Sequence, residues 1–185
     1  MEKTDQQIEA FFDSEGDSPL SACLNELETL TATAHMSKAF CVFSTFDLLA
    51  QFYRGELKKG QSAKRLKKYW GKYTNLNNSQ LELLYQFRNA VIHSFGQHAF
   101  DKQTKREFRF LIDNGQSPTI TSKTKTVVSV NMEKLEKLLE KSISAYRGDL
   151  TDKKHLRENF YTVYRRIGIL FDSGPNSGAT EEWNP

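Results

Sequence analysis

The run Arg88-Asn89-Ala90-Val91-Ile92-His93 places a guanidinium, a carboxamide and an imidazole beside apolar neighbours. An imidazole titrates near neutral pH and can move a proton, whereas a guanidinium stays charged and grips phosphate through two parallel donors. Such a set suits chemistry at a phosphodiester. The residues occupy the second half of a predicted helix, whose stripe is Leu81, Leu84, Tyr85, Arg88, Val91 and Ile92 and whose start is marked by Asn77-Asn78-Ser79. Successive helical residues turn about 100°, so Asn89 and His93 fall within about 40° of each other while Arg88 and His93 stand roughly 140° apart. Arginine and histidine are therefore not expected to converge on one straight helix. Two copies related by a two-fold axis would bring two of each around one pocket, so the spacing predicts a homodimer.

The elements that must carry this helix are mostly helical. Ser18-Pro19 joins a capping residue to a proline at the first helical position, and Leu20, Leu24, Leu27, Thr31 and Ala34 follow at helical spacing. From Ala39 to Tyr53 apolar residues close nearly all round the helix, which marks it as the central core element. Thr29, Thr31, Thr33 and His35 weaken propensity between these stretches, so a bend or a break is expected there. Asn131 caps a helix bearing Leu135, Leu138, Leu139, Ile143 and Tyr146 that ends near Gly148. Thr151 or Asp152 opens another with Leu156, Phe160, Val163, Tyr164, Ile167, Leu170 and Phe171, stopped by Ser173-Gly174-Pro175.

Between Glu107 and Asn131 the period changes to two. Phe108, Phe110 and Ile112 alternate with Arg109 and Leu111, Asp113-Asn114-Gly115 supplies turn chemistry, and Thr119 to Val130 is rich in threonine and valine. A two-stranded hairpin over approximately 107–130 is expected. The expected architecture is all-α, a helical bundle with this one inserted β-hairpin: a flexible arm over 1–17, a single domain over 18–173 and a polar tail over 174–185.

Composition excludes more than it selects. A hydrophobic share of 38% with 26% charged residues fits a soluble globular chain and not a disordered one. The amino terminus lacks the basic start and apolar run of a signal peptide, and the apolar stretch 39–53 falls short of a spanning helix and carries Asp47. A cytoplasmic protein without membrane contact is expected. Cys23 and Cys41 show neither ligand spacing nor a disulfide framework, which reads as free thiols in a reducing compartment. His35, His93, His98 and His155 are scattered, so no metal site and no cofactor are expected, and His98 reads as a surface residue, with an auxiliary role at the site as the alternative. No glycine-rich phosphate loop is present.

Net charge is only +3, yet Arg54 to Lys72 holds eight basic residues against one acid. Lys64, Arg65, Lys67 and Lys68 in this stretch could contact RNA phosphates, with Tyr69, Trp70 or Tyr73 stacking on bases. The plainer reading is a solvated helix face with its aromatics turned into the core.

Leu84-Tyr85-Gln86-Phe87-Arg88-Asn89-Ala90-Val91-Ile92-His93-Ser94 resembles the signature of the HEPN superfamily: an arginine, an adjacent polar residue, and a histidine after four to six intervening positions, here four. The resemblance extends more loosely to the long apolar helix, the basic linker and the two carboxyl-terminal helices. It implies a HEPN-like helical bundle, a homodimer and, for many members, a metal-independent endoribonuclease acting as a toxin or defence effector, restrained by an antitoxin or regulatory protein. Arg88 and His93 match the catalytic pair, and Asn89 matches the polar position beside the arginine. Asp47 resembles an acidic residue of the preceding long helix and is expected to fix Arg88 or His93. In that scheme a ribose 2′-hydroxyl attacks the adjacent phosphate; His93 moves protons, Arg88 stabilises negative charge and Asn89 orients His93 or the scissile phosphate. The alternatives are a catalytically inactive HEPN module binding RNA, a nucleotide or a protein partner, and a helical scaffold whose motif serves dimerisation. Without the resemblance, His93 reads as a helix-end histidine and Arg88 as one half of an ion pair.

Overall fold

The computed structural model describes residues 3–167 apart from 59, 95, 103 and 114–117. The expected tail over 174–185 lies outside the described residues, as do Leu170, Phe171 and the turn pair Asn114-Gly115. Among the described residues there are seven helices and four strands.

The first helix, α1 (Lys3–Phe12), falls where a loose arm is expected. It is instead part of the core: Ile8 and Phe11 are buried, and the Phe11 ring lies 4.3 Å from Phe52 and 5.2 Å from Phe160. Two apolar residues at helical spacing suffice when a deep aromatic socket receives them. Ser18 then locks α1 to α2 (Pro19–Thr29). Its hydroxyl donates to the Phe11 carbonyl at 2.7 Å and accepts from the Ser21 amide at 3.0 Å, capping the helix that Pro19 begins.

After a break at the threonines, α3 (His35–Arg54) runs through the centre of the molecule. Ala39, Val42, Phe43, Phe46, Leu49 and Phe52 are fully buried on more than one side of it, because α2, α4, α5, α6 and α7 all pack against it. Gly55 ends it at φ 69°, and a Cβ there would stand 2.6 Å from the Asn159 side-chain oxygen. Asn159 in turn donates to the Tyr53 carbonyl at 2.9 Å, so only glycine lets the last helix approach this closely.

The basic helix α4 (Ser62–Tyr73) turns Leu66, Tyr69 and Trp70 inward. Asn77 and Gln80 then cap α5 (Asn78–Ser94) reciprocally, each side-chain oxygen accepting from the other's amide at 3.0 Å. The carboxyl-terminal pair is α6 (Met132–Asp152) and α7 (Lys154–Ile167), with Asn131 accepting from the Lys134 amide at 2.9 Å. Gly148 sits inside α6 and the break comes at Lys153, five residues later than glycine alone suggests.

The expected hairpin is replaced by a four-stranded mixed sheet: β1 (His98–Asp101), β2 (Arg106–Asp113), β3 (Ile120–Ser122) and β4 (Val127–Asn131), in the order β1-β2-β4-β3. The fold is therefore helical with a small sheet rather than all-α. The strands at 106–113 and 127–131 do pair, but in parallel, with Phe110 beside Val128 and Ile112 beside Val130. The antiparallel partners are β1 for β2 and β3 for β4. The reason is a tight turn within the threonine-valine run. Val127 donates to the Thr124 hydroxyl at 3.0 Å, and the Ser122 hydroxyl donates to the Thr124 carbonyl at 2.6 Å. Side-chain hydroxyls thus make a turn that no glycine or proline announces. On β2, Phe108 and Phe110 face inward and Phe110 lies 5.0 Å from Phe87 of α5, which docks the sheet on the motif helix.

Two predictions follow from the core. Phe11→Ala empties the aromatic socket and is expected to cost about 3 kcal/mol, read as a lower urea midpoint with unchanged slope. An unchanged midpoint would show that α1 is dispensable. The second concerns Tyr53, Tyr69, Tyr73 and Tyr146, whose rings pack together between α3, α4 and α6. Burial pushes the phenols of Tyr69, Tyr73 and Tyr146 up. The unfolded chain releases these protons near pH 10 while the folded one keeps them, so their contribution is complete below about pH 10 and falls as pH rises past it. Phenolate absorbance from these residues is expected to rise only together with loss of helical circular dichroism. Smooth titration in the folded protein would mean that the nest is open to water.

Candidate functional site

Asp47 lies on α3 and reaches across to α5. Its Oδ2 accepts from Arg88 Nε at 3.1 Å and from Arg88 Nη2 at 2.5 Å. Arg88 is 9% exposed, and this carboxylate is what compensates its charge there. Of the two residues that Asp47 is expected to fix, Arg88 or His93, it contacts Arg88.

The remaining nitrogen, Nη1, lies 3.3 Å from Asn89 Oδ1 and 3.3 Å from His93 Nε2. Arg88 and His93 thus meet within one chain. The expectation that they stand apart followed the Cα directions around the helix; the arginine stem is long enough to lie back along the surface and span the angle. The steric argument for two copies is thereby removed. A guanidinium has no acceptor, so its contact with Nε2 assigns the lone pair to that nitrogen and the ring proton to Nδ1.

Asn89 and His93 open into a cleft of about 650 Å³ between α4, α5 and β1. Its walls include Lys67, Glu82, Tyr85, Gln86, His98 and Phe100, with Asp101 and Lys102 at one end. Arg88 does not line the cleft; it stands behind His93. Lys67 pairs with Glu82 and lies 5.1 Å over the Tyr85 ring, while Gln86 donates to the other Glu82 oxygen at 3.1 Å. The cleft wall is therefore a connected polar surface.

The basic stretch divides. Lys64 and Lys68 are exposed, and Lys67 is half-buried at the cleft. Arg65 is buried and donates to the Lys58 carbonyl at 2.6 Å, so its charge closes the loop before α4. Tyr69 and Trp70 are fully buried and are not available for stacking on bases.

No family model, curated protein or solved structure matches this chain. The site's chemistry thus rests on its own geometry. Among the described residues no three of His, Cys, Asp and Glu gather as metal ligands, and no helix is long and apolar enough to cross a membrane. Cys23 and Cys41 lie elsewhere as free thiols, both pushed up by burial.

Sequence reasoning missed Glu82, Gln86 and Phe100 and set His98 aside. The available signal was the alternation of His98 and Phe100 with Ala99 shortly after Gly96, a strand too short to stand out alone.

Asp47→Ala is expected to destabilise the fold by about 2 kcal/mol, with a coupling to Arg88→Ala of about 1 to 3 kcal/mol in a double-mutant cycle. Additive losses in urea unfolding would show that the ion pair does not join the two helices energetically.

Proposed function

We propose that the protein is a metal-independent endoribonuclease of HEPN type, acting as a cytoplasmic homodimer in a toxin or defence role under the control of a partner protein. The observation that carries this reading is the chain Asp47–Arg88–His93, with Asn89 beside it and the imidazole open to the cleft. A phosphodiester placed there would meet His93 and Asn89 directly, and would reach Arg88 when its third nitrogen swings out from behind His93. His93 Nε2 holds a lone pair and can take the 2′-proton once the phosphate draws Arg88 Nη1 toward itself. Arg88 then faces the charge that develops on the non-bridging oxygens, and Asp47 keeps it aligned. Asn89 orients the imidazole or a phosphate oxygen. Lys64 and Lys68, exposed on α4, supply phosphate contacts along the strand, and Lys67 supplies one at the cleft.

One observation favours a second reading. Arg88 is buried and doubly bonded to Asp47, which is also what a purely structural arginine in an inactive RNA-binding or partner-binding module would show.

Incubation of the purified chain with a panel of RNAs in the presence of chelator decides between them. Cleavage leaving 2′,3′-cyclic phosphate ends is expected, with a loss of about 10²- to 10⁴-fold in His93→Ala. RNA binding with no cleavage would establish the inactive module, and equal cleavage by the variant would remove His93 from the mechanism.

A further inference from the structure

Transesterification by a 2′-hydroxyl forms an O2′–P bond and breaks the P–O5′ bond, so one proton leaves O2′ and another must reach O5′ on the opposite side of phosphorus. Arg88 has no proton to release near neutral pH. His93 Nε2 faces an Arg88 nitrogen that can only donate, which suits it to accept the first proton and leaves the second without a donor. The same cleft contains another imidazole. His98, on β1, lines it together with His93 and Asn89, and both histidines are solvent-exposed.

The backbone that presents His98 is pinned at both sides. The Gly96 amide donates to the Ala90 carbonyl at 3.3 Å, closing the end of α5 and reversing the chain. The Phe110 amide donates to the Gln97 carbonyl at 2.7 Å, and His98 pairs with Arg109 across the strands. A second feature of β1 points to the same ligand. Side chains alternate along a strand, so Phe100 shares the face of His98; it is 53% exposed and lines the cleft. An open aromatic ring beside a phosphate site is a platform for an unpaired base, as a single-stranded substrate requires. The charged groups around His98 are Lys67 from α4, paired with Glu82 from α5, then His93, Asp101 and Lys102 along the cleft, and Arg109 opposite on β2.

We propose that His98 is the general acid of the site, protonating the leaving 5′-oxygen while His93 accepts the 2′-proton, with the flanking base stacked on Phe100. The assignment rests on the ribonuclease reading above. Its test uses two substrates, an ordinary oligoribonucleotide and one with sulfur in place of the bridging 5′-oxygen, whose thiolate leaves without protonation. His98→Gln and His98→Asn are expected to lose about 100-fold or more on the oxygen substrate, to lose the alkaline limb of the pH profile, and to recover most of that loss on the sulfur substrate. Recovery itself shows that the variants are folded. Phe100→Ala is expected to raise KM with little change in kcat. If wild type cleaves and the His98 variants match it, or if sulfur fails to rescue them, the general-acid assignment is overturned while the ribonuclease reading stands. If wild type cleaves neither substrate, the ribonuclease reading falls and takes this assignment with it.

Discussion

A carboxylate in the middle of the most apolar helix must be compensated, and Arg88 does so from the facing helix. That requirement sets how α3 and α5 meet. Sliding α5 by one turn would leave both Asp47 and Arg88 charged in a half-dry environment, at a cost of several kcal/mol. Apolar contacts around α3 leave the charge of Asp47 uncompensated; the ion pair supplies its partner. The same contact ties α3 to α5 and leaves the remaining Arg88 nitrogen beside His93.

The helices were largely legible because capping and periodicity are local. Ser18-Pro19, Asn77 and Asn131 act where their residue types suggest, and the threonines at 29–33 do separate two helices. Long-range partners decided the rest. Nothing in Ile8, Phe11 and Phe12 reveals that Phe52 and Phe160 form a socket for them, so the first helix reads as an arm. The sheet was misread because its decisive turn uses threonine and serine hydroxyls, and because parallel pairing leaves no signature at short range.

In the site, residue identities were legible and their geometry was not. Cα directions around a helix separate Arg88 from His93, but a side chain with several rotatable bonds does not follow them. Asp47 entered through the resemblance of its position in the long apolar helix, and its partner among Arg88 and His93 stayed open in the sequence. The contribution of β1 was hidden since its position depends on the sheet, and the sheet depends on residues thirty positions further along.

The parallel pairing of β2 with β4 also sets an order of events during synthesis. A two-stranded unit of β1 and β2 is marginal by itself, and β2 gains its second neighbour only when residues 127–131 have been made. Asp47, Arg88 and His93 leave the ribosome well before that point. The strand that walls the cleft, β1, follows them closely but is braced through β2 only once residues 127–131 have been made, so a nascent chain carries the motif before its cleft has a settled wall.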